Sequence, residues 1–304
     1  MTRNPGLPFD AAAIEALHVD DSEIERDIAA FTAHPLPEGR ERANWLLEAI
    51  ACMDLTTLAG DDTPERVEQL CARARAPLPP TLLQALGLAP GMLKTGAVCV
   101  YHAMIAPALT ALAGSDIPVA AVSAGFPAGL SPLSTRIAEV TESAAAGAAE
   151  IDIVIQRRHA LSGDWRTLYD EVRAFREAAG QAHVKAILAT GELGTATRIA
   201  RASLVCIMAG ADFIKTSTGM EKVNATLPAG LVMLRIIRDH ATRTGIRIGF
   251  KPAGGIASAD QALAWLMLVR QELGEEWLTP DLFRFGASRL LDDVERHLEA
   301  HVAA

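Results

Sequence analysis

The feature that most constrains this fold is a regular alternation of short apolar runs and longer helical patterns, which begins near residue 48. Nearly every position in these runs is apolar, which is typical of parallel strands buried on both faces. Eight β/α units in about 250 residues predict one α/β domain, a closed (β/α)8 TIM barrel. The predicted strands are residues 49–55, 97–101, 118–123, 150–155, 184–189, 212–216, 247–251 and 283–287.

Two further observations define the organisation of the chain. No Gly-x-Gly-x-x-Gly turn follows the first predicted strand, which disfavours an open dinucleotide-binding sheet. Residues 1–48 contain two helical stretches rich in acidic residues and alanine. We therefore expect an N-terminal helical extension over 1–48, which packs on the barrel or at a subunit contact, and a catalytic barrel over 49–304.

Charge and hydropathy narrow the class of function. The chain has 304 residues, half of them apolar, and a net charge of −9. This acidic balance argues against general binding to nucleic acid or to an anionic membrane and favours small-molecule chemistry. Neither a secretory signal nor an apolar run of the ~20 residues that span a bilayer is visible in the sequence, so we expect a cytoplasmic protein.

The cysteines predict buried, reduced thiols. Cys52, Cys71, Cys99 and Cys206 lie inside apolar segments and lack paired metal-ligand spacing. Disulfides are therefore not expected, and we predict no metal site. No histidine partner is implied for Cys99, so we interpret it as a core thiol near the substrate rather than as a nucleophile.

We single out four charged residues of the predicted strands as candidates for an active site, which a barrel enzyme places at the C-terminal ends of its strands. They are Asp54, Asp152, Lys215 and Lys251. A lysine that is partly buried beside a second cation favours the neutral amine, which can attack a carbonyl carbon. We therefore predict imine chemistry on one lysine, with Asp152 transferring protons and Lys251 tuning both groups. The alternative is that Asp–Lys salt bridges simply close this end of the barrel.

Glycine-rich turns form a second candidate site. Residues 251–258 follow the seventh strand and residues 285–291 follow the eighth, and each turn precedes a helical pattern. Phosphate sites of such barrels are built from these two loops, with backbone amides directed at the anion. The alternative is that the glycines only form tight turns. Likewise, Thr216, Ser217 and Thr218 could contact substrate oxygens or cap the turn.

These motifs together resemble the deoxyribose-phosphate aldolase family. The resemblance covers about residues 50–292, and its most specific motifs are GADFIKTSTG at 210–219 and GFKPAGGI at 249–256. It implies a (β/α)8 barrel that needs no cofactor and that cleaves 2-deoxyribose 5-phosphate reversibly into acetaldehyde and glyceraldehyde 3-phosphate. It also implies a homo-oligomer, for which we expect a dimer.

The resemblance assigns a role to each candidate residue. It implies that Lys215 forms the imine, that Lys251 lowers its pKa and that Asp152 acts in the proton relay. Asp54 and Thr218 would orient a substrate hydroxyl. The residues implied to line the phosphate pocket are Gly219, Gly254, Gly255, Gly286 and Ser288.

The chain differs from the family pattern around the predicted phosphate pocket. Met220 and Ala257 stand where close relatives often carry a lysine and an arginine, although Lys222 and Arg289 lie nearby in the sequence. Three alternatives stay open: an imine-forming aldolase for non-phosphorylated aldehydes or deoxy sugars, a metal-dependent lyase or isomerase, and a non-catalytic barrel that binds sugar phosphates.

Overall fold

Eight parallel strands form the centre of the molecule in a computed structural model that describes residues 2–303. Each strand is short and almost fully buried, as the apolar runs predict. The strands are β1 (Met53–Thr56), β2 (Ala97–Tyr101), β3 (Val119–Ser123), β4 (Glu150–Val154), β5 (His183–Ile187), β6 (Phe213–Lys215), β7 (Gly249–Lys251) and β8 (Phe285–Ala287).

The strands follow one another around a closed barrel. Each pairs in parallel with its sequence neighbour from β1 to β7, and β8 pairs with β1. The ring closes between β7 and β8 through parallel bridges that join Phe250 to Phe283 and Ala253 to Gly286. The predicted TIM barrel is therefore confirmed.

Helices surround the barrel and connect its strands. The helix after β1 begins as the sequence predicts, because the Thr63 hydroxyl accepts the Arg66 N–H and Pro64 occupies the first helical turn. The helices are α1 (Ala11–Ala16), α2 (Asp21–Thr32), α3 (Gly39–Ala51), α4 (Pro64–Arg75), α5 (Pro80–Ala85), α6 (Ile105–Ala111), α7 (Leu133–Ala145), α8 (Arg157–Ser162), α9 (Trp165–Ala178), α10 (Ala196–Met208), α11 (Leu227–Thr244), α12 (Ala259–Leu273) and α13 (Leu290–Ala303). None of the helices described within residues 2–303 is long and apolar enough to cross a membrane.

The first predicted strand begins too early. Residues 49–51 belong to the last turn of α3, and β1 starts only at Met53. Leu46, Ala49 and Ile50 form the buried face of α3, so their helical spacing makes the run apolar without making it a strand. Helix α3 also crosses the predicted boundary at residue 48, and the division of the chain into two domains stays a prediction.

The N-terminal segment packs along the outside of the barrel. Helix α1 contacts α10, α2 contacts α11, and α3 packs against α12 and α13. Ahead of these helices, Asn4 is buried and its side-chain amide donates to the carbonyls of Ile207 and Ala211 at 2.8 and 2.9 Å. Its backbone N–H donates to the Asp212 carboxylate at 2.6 Å. The segment therefore covers α10 and α11, on the side of the barrel that carries β6.

Candidate active site

Two lysines meet one carboxylate inside the barrel. Lys215 ends β6 and Lys251 ends β7, and the strand register places them side by side. Their Nζ atoms each lie 2.8 Å from Oδ2 of Asp152, which projects inward from β4. Lys215 is only 3% exposed, and the other two side chains are fully buried. The structure thus brings the three predicted catalytic residues into direct contact.

The fourth charged residue of the sequence prediction completes this cluster. Asp54 lies on β1, and its Oδ2 atom is 2.5 Å from Nζ of Lys251. Lys251 therefore lies between two carboxylates, whereas Lys215 contacts one. This difference gives the two lysines different electrostatic surroundings.

Three charged residues that the sequence analysis missed lie beneath this cluster. Lys185 on β5 contacts Glu150 of β4 and lies 3.2 Å from Oδ1 of Asp152. Arg284, directly before β8, donates to Asp54 at 2.5 Å and to Glu150 at 2.8 Å. Each of these three residues is a charged residue inside an otherwise apolar predicted strand, and this sequence signal could have identified them. Glu150 in particular lies two residues before Asp152 and so on the same face of β4.

The charges of this interior network nearly balance. It contains three carboxylates and four basic side chains, all less than a tenth exposed. If every group is ionised, one positive charge is left over in a dry interior, which is costly. A neutral amine at one lysine removes that excess. The network comprises Asp54, Glu150, Asp152, Lys185, Lys215, Lys251 and Arg284.

Lys215 is the lysine of the network whose environment favours the neutral form. Burial lowers its pKa, the charge of Lys251 lowers it further, and Asp152 only partly opposes the change. Burial also acts to lower the pKa values of Lys185 and Lys251, but nearby carboxylates outweigh it and raise both. The site therefore places an amine whose pKa is lowered beside an ammonium group whose pKa is raised.

Asp152 is held ionised by the surrounding cations. Burial acts to raise its pKa, but Lys185, Lys215 and Lys251 lower the pKa well below its usual range. Within residues 2–303, its Oδ1 atom is buried without a hydrogen-bond partner. The Nζ atom of Lys185 lies 3.2 Å from this oxygen, so both oxygens of the carboxylate face ammonium groups, and Oδ2 lies beside the amine whose pKa is lowered.

Cys99 lies close to these charges without a partner that could activate it. Its thiol is fully buried on β2 in a small apolar cluster with Ala120 and Val122. Burial raises the pKa of Cys99, and the neighbouring charges modify it. The thiol is therefore kept protonated, as the sequence interpretation expects for a core residue; its contact with substrate stays a prediction.

The hydroxyls after β6 mostly bind the protein itself. The Ser217 hydroxyl donates to the carbonyl of Ala253 at 2.8 Å, and the Thr216 hydroxyl accepts the Ala253 N–H at 3.0 Å. The Thr218 hydroxyl accepts the N–H of Met220 at 3.0 Å. Thr216 and Ser217 therefore join the end of β6 to the loop after β7.

The predicted phosphate-pocket residues lie at the same end of the barrel, on the loops after β6, β7 and β8 and, for Gly286, within β8 itself. A side chain at Gly219 would come within 4.0 Å of Gly254, and one at Gly286 would lie 2.6 Å from Cβ of Ala253. Gly219, Gly255 and Ser288 are exposed, while Gly254 and Gly286 are partly buried. Gly286 is thus required by close packing, independently of any ligand.

A carboxylate absent from the sequence prediction lies in this region. Glu221 accepts the backbone N–H groups of Thr218 at 3.0 Å and Gly219 at 3.1 Å. No sequence spacing signals this contact, because it depends on the left-handed conformation of Gly219, with φ of 90°. The amides beside Gly219 therefore already bind an anion, one supplied by the chain.

Comparison with known proteins agrees with this geometry. The chain matches the model of the DeoC/LacD family aldolases over residues 48–289. It is 51% identical over 301 residues to the deoxyribose-phosphate aldolase of Homo sapiens, an alignment that covers 98% of this chain and 95% of that protein. The deoxyribose-phosphate aldolase of Mus musculus is 52% identical over 299 residues, with 98% and 94% covered.

A solved structure shows the same fold at lower identity. The tetrameric deoxyribose phosphate aldolase from Aeropyrum pernix superposes with a TM-score of 0.60 at 22% identity, covering 87% of this chain and 99% of that one. This likeness concerns the barrel alone. The family match and the two mammalian relatives go further, and the chain belongs to the DeoC/LacD family of aldolases.

Proposed function

We propose that this protein is a class I aldolase that reversibly cleaves 2-deoxy-D-ribose 5-phosphate into acetaldehyde and D-glyceraldehyde 3-phosphate. The single observation that carries the chemistry is the environment of Lys215: a buried amine with a lowered pKa, 2.8 Å from an ionised carboxylate. The name of the mammalian relatives, at about half identity over nearly the whole chain, supports the substrate.

The reaction begins when the neutral Lys215 amine attacks the C1 aldehyde of the open-chain sugar. The carbinolamine loses water and gives a protonated imine, which withdraws electrons from C2. A base then takes the proton of the C3 hydroxyl, the C2–C3 bond breaks, and its electron pair moves to C2 as an enamine. Glyceraldehyde 3-phosphate leaves at this stage.

Protonation of the enamine at C2 and addition of water to the imine complete the cycle. These steps release acetaldehyde and regenerate the Lys215 amine. Asp152 carries the proton transfers in this proposal, which is supported by the 2.8 Å distance between its Oδ2 atom and the Lys215 amine. Lys251 stays cationic, fixes the same carboxylate and keeps the Lys215 amine neutral.

Reductive trapping tests this proposal. The protein is treated with sodium borohydride in the presence of acetaldehyde or, separately, 2-deoxyribose 5-phosphate, and its peptides are mapped by mass. We expect a reduced adduct on Lys215 with both compounds, and a Lys215→Leu variant without adduct whose turnover is at least about 10⁴-fold lower, because the nucleophile is lost. The exposed Lys94→Leu variant is the control and should trap normally. An adduct on another lysine, or none, would reject the mechanism.

A second candidate function is the same chemistry on non-phosphorylated aldehydes or deoxy sugars. Met220 and Ala257 are uncharged residues at two positions of the predicted phosphate loops. Glu221 adds a negative charge to the same region. Comparing kcat/KM between the phosphorylated sugar and free deoxyribose separates the two functions. A preference for the free sugar would support the second.

Location and assembly, expected from the sequence to be cytoplasmic and dimeric, remain part of this proposal. The acidic net charge of −9 supports a protein that does not bind nucleic acid. Light scattering after size-exclusion chromatography measures the mass of the assembly. Fractionation of source cells shows where the protein is located. A monomeric mass or a membrane-bound pool would contradict them.

A further inference from the structure

The loop after β6 binds one of its own side chains at the position predicted for the substrate's phosphate. Both oxygens of the Glu221 carboxylate accept the Thr218 N–H, and Oε2 also accepts the Gly219 N–H, at 3.0 to 3.1 Å. Hydrogen bonds to an ionised acceptor are stronger than those between neutral groups. The turn at Thr218 and Gly219 is thus a working anion site, which in this structure holds a carboxylate.

The neighbouring helix terminus is also occupied by side chains, but its nearest acceptor is uncharged. The first amides before α12, those of Ala257 and Ser258, donate to Oε1 of Gln261 at 2.9 and 3.1 Å. The next amide, that of Ala259, donates to Asp293 at 2.7 Å. A phosphate that binds at the turn of Thr218 and Gly219 therefore competes with the Glu221 carboxylate for the two amides of that turn.

We propose that Glu221 is a specificity-determining residue: its carboxylate occupies the amides of Thr218 and Gly219 and must leave them before a phosphorylated substrate can bind. The inference rests on the proposed aldolase function and extends it. A neutral substrate makes no demand on these amides, so Glu221 selects against phosphate and leaves the imine chemistry untouched.

The surroundings of Glu221 permit such an exchange. The side chains of Met220 and Val223, on either side of Glu221 in the chain, are 55% and 48% exposed, so they cover the Glu221 side chain little. The Glu221 backbone is held in place, since its carbonyl accepts the side-chain amide of Asn224 at 3.0 Å. Lys222 and Arg289 are exposed and form no ion pair within residues 2–303.

The competition has a measurable size. When the binding-competent state is only a fraction of the population, the apparent Kd rises by the inverse of that fraction. If the Glu221 carboxylate holds the amides for about nine-tenths of the time, removing that carboxylate group strengthens phosphate binding about tenfold. Gln at this position keeps the size of the side chain, and Ala removes the acceptor altogether.

The experiment compares wild type, Glu221→Gln, Glu221→Ala and a control, Glu192→Gln. Glu192 is an exposed carboxylate that follows β5 and pairs with Arg157 at 2.6 Å. For each protein, KM is measured with the phosphorylated sugar and with free deoxyribose, and the Kd of inorganic phosphate is measured by calorimetry. We expect Glu221→Ala to lower the KM of the phosphorylated sugar and the Kd of phosphate about tenfold. Glu221→Gln should lower both by less, because its amide oxygen can still accept the two N–H groups, as Gln261 does before α12.

The result must be specific to the phosphorylated ligands. The KM of free deoxyribose should change far less than that of the phosphorylated sugar, and Glu192→Gln should change neither. Unchanged or weakened phosphate binding in both Glu221 variants would overturn the inference. Because calorimetry needs no turnover, a protein that cleaves neither sugar would refute the proposed function while phosphate binding still tests the role of Glu221.

Discussion

The interior of the barrel and the loops above it handle charge in opposite ways. Inside, seven charged side chains pair with one another and are almost inaccessible to water. On the loops after β6 and β7, by contrast, Gly219, Gly254 and Gly255 are partly or fully exposed and the anion-binding amides are held by Glu221. The first arrangement fixes a reactive amine, and the second leaves ligand binding adjustable.

The difference teaches where reaction type and substrate preference are encoded. Every interior group contacts partners on other strands, so changing one affects the ionisation of the rest. A rim residue such as Met220 contacts mostly solvent, and substitutions there change affinity with little effect on the barrel. Members of one family can therefore share the imine chemistry and differ in the substrate that they prefer.

The largest effect on stability is expected at Arg284. Arg284→Met removes the bidentate partner of Asp54 and Glu150 and leaves both carboxylates under-compensated in a dry interior. We expect the free energy of unfolding to fall by about 3 kcal/mol or more, measured by urea titration. Arg166→Met, which breaks an exposed pair with Asp170, should cost less than about 1 kcal/mol. Equal losses would contradict the contrast between interior and surface.

Lys251 tests whether the interior tunes the nucleophile. Without its ammonium group, Asp152 pairs more strongly with Lys215, whose pKa then rises. Lys251→Met should lower imine formation at pH 7 about 100-fold and move the pH profile of borohydride trapping to higher pH. Lys94→Met, which only breaks the pair of Lys94 with Asp116, serves as the control. A slow variant with an unshifted profile would mean that Lys251 acts only by packing.

A buried base outside the network shows what burial does without compensation. His240 on α11 is fully buried, and neither ring nitrogen has a hydrogen-bond partner within residues 2–303. Burial, aided by the charge of Arg243, lowers its pKa to about 4. The ordinary value of 6.5 applies in the unfolded chain, which binds the proton first as the pH falls.

Stability should consequently decrease between pH 6.5 and pH 4, by about 1.4 kcal/mol per pH unit from this residue. Above pH 6.5 the histidine is neutral in both states and has no effect. Urea titrations at pH 7, 6 and 5 should show a smaller decrease for His240→Leu than for wild type. The exposed His301→Leu should behave like wild type, and the same slope in all three proteins would contradict the role of His240.

The smallest effect is expected at the rim. Met220→Lys adds a cation next to Gly219, and we expect the phosphorylated sugar to show a roughly two- to fivefold lower KM at low salt. Screening should reduce the gain at high salt, about 1 M. Met92→Lys, an exposed change in the loop that precedes β2 at the other end of the barrel, should leave KM unchanged. A gain that persists at high salt would point to a rearranged loop instead of simple attraction.

The sequence by itself determined the barrel and the four charged residues at its centre. Both follow from local information, because each apolar run specifies a buried strand and a charge inside or just after it is visible in the same few residues. The beginning of β1 was predicted wrongly, since the apolar face of α3 continues into the same run.

Only the tertiary structure decided which charges meet. Lys185, Glu150 and Arg284 are visible in the sequence as charges inside predicted strands, but their partners are 35 and 134 positions away and are set by strand register, which no local pattern contains. Glu221 is only two residues from Gly219, yet its contact depends on the turn conformation of the folded loop. A buried charge is tolerated only beside its partner, and that partner is fixed by the closure of the barrel.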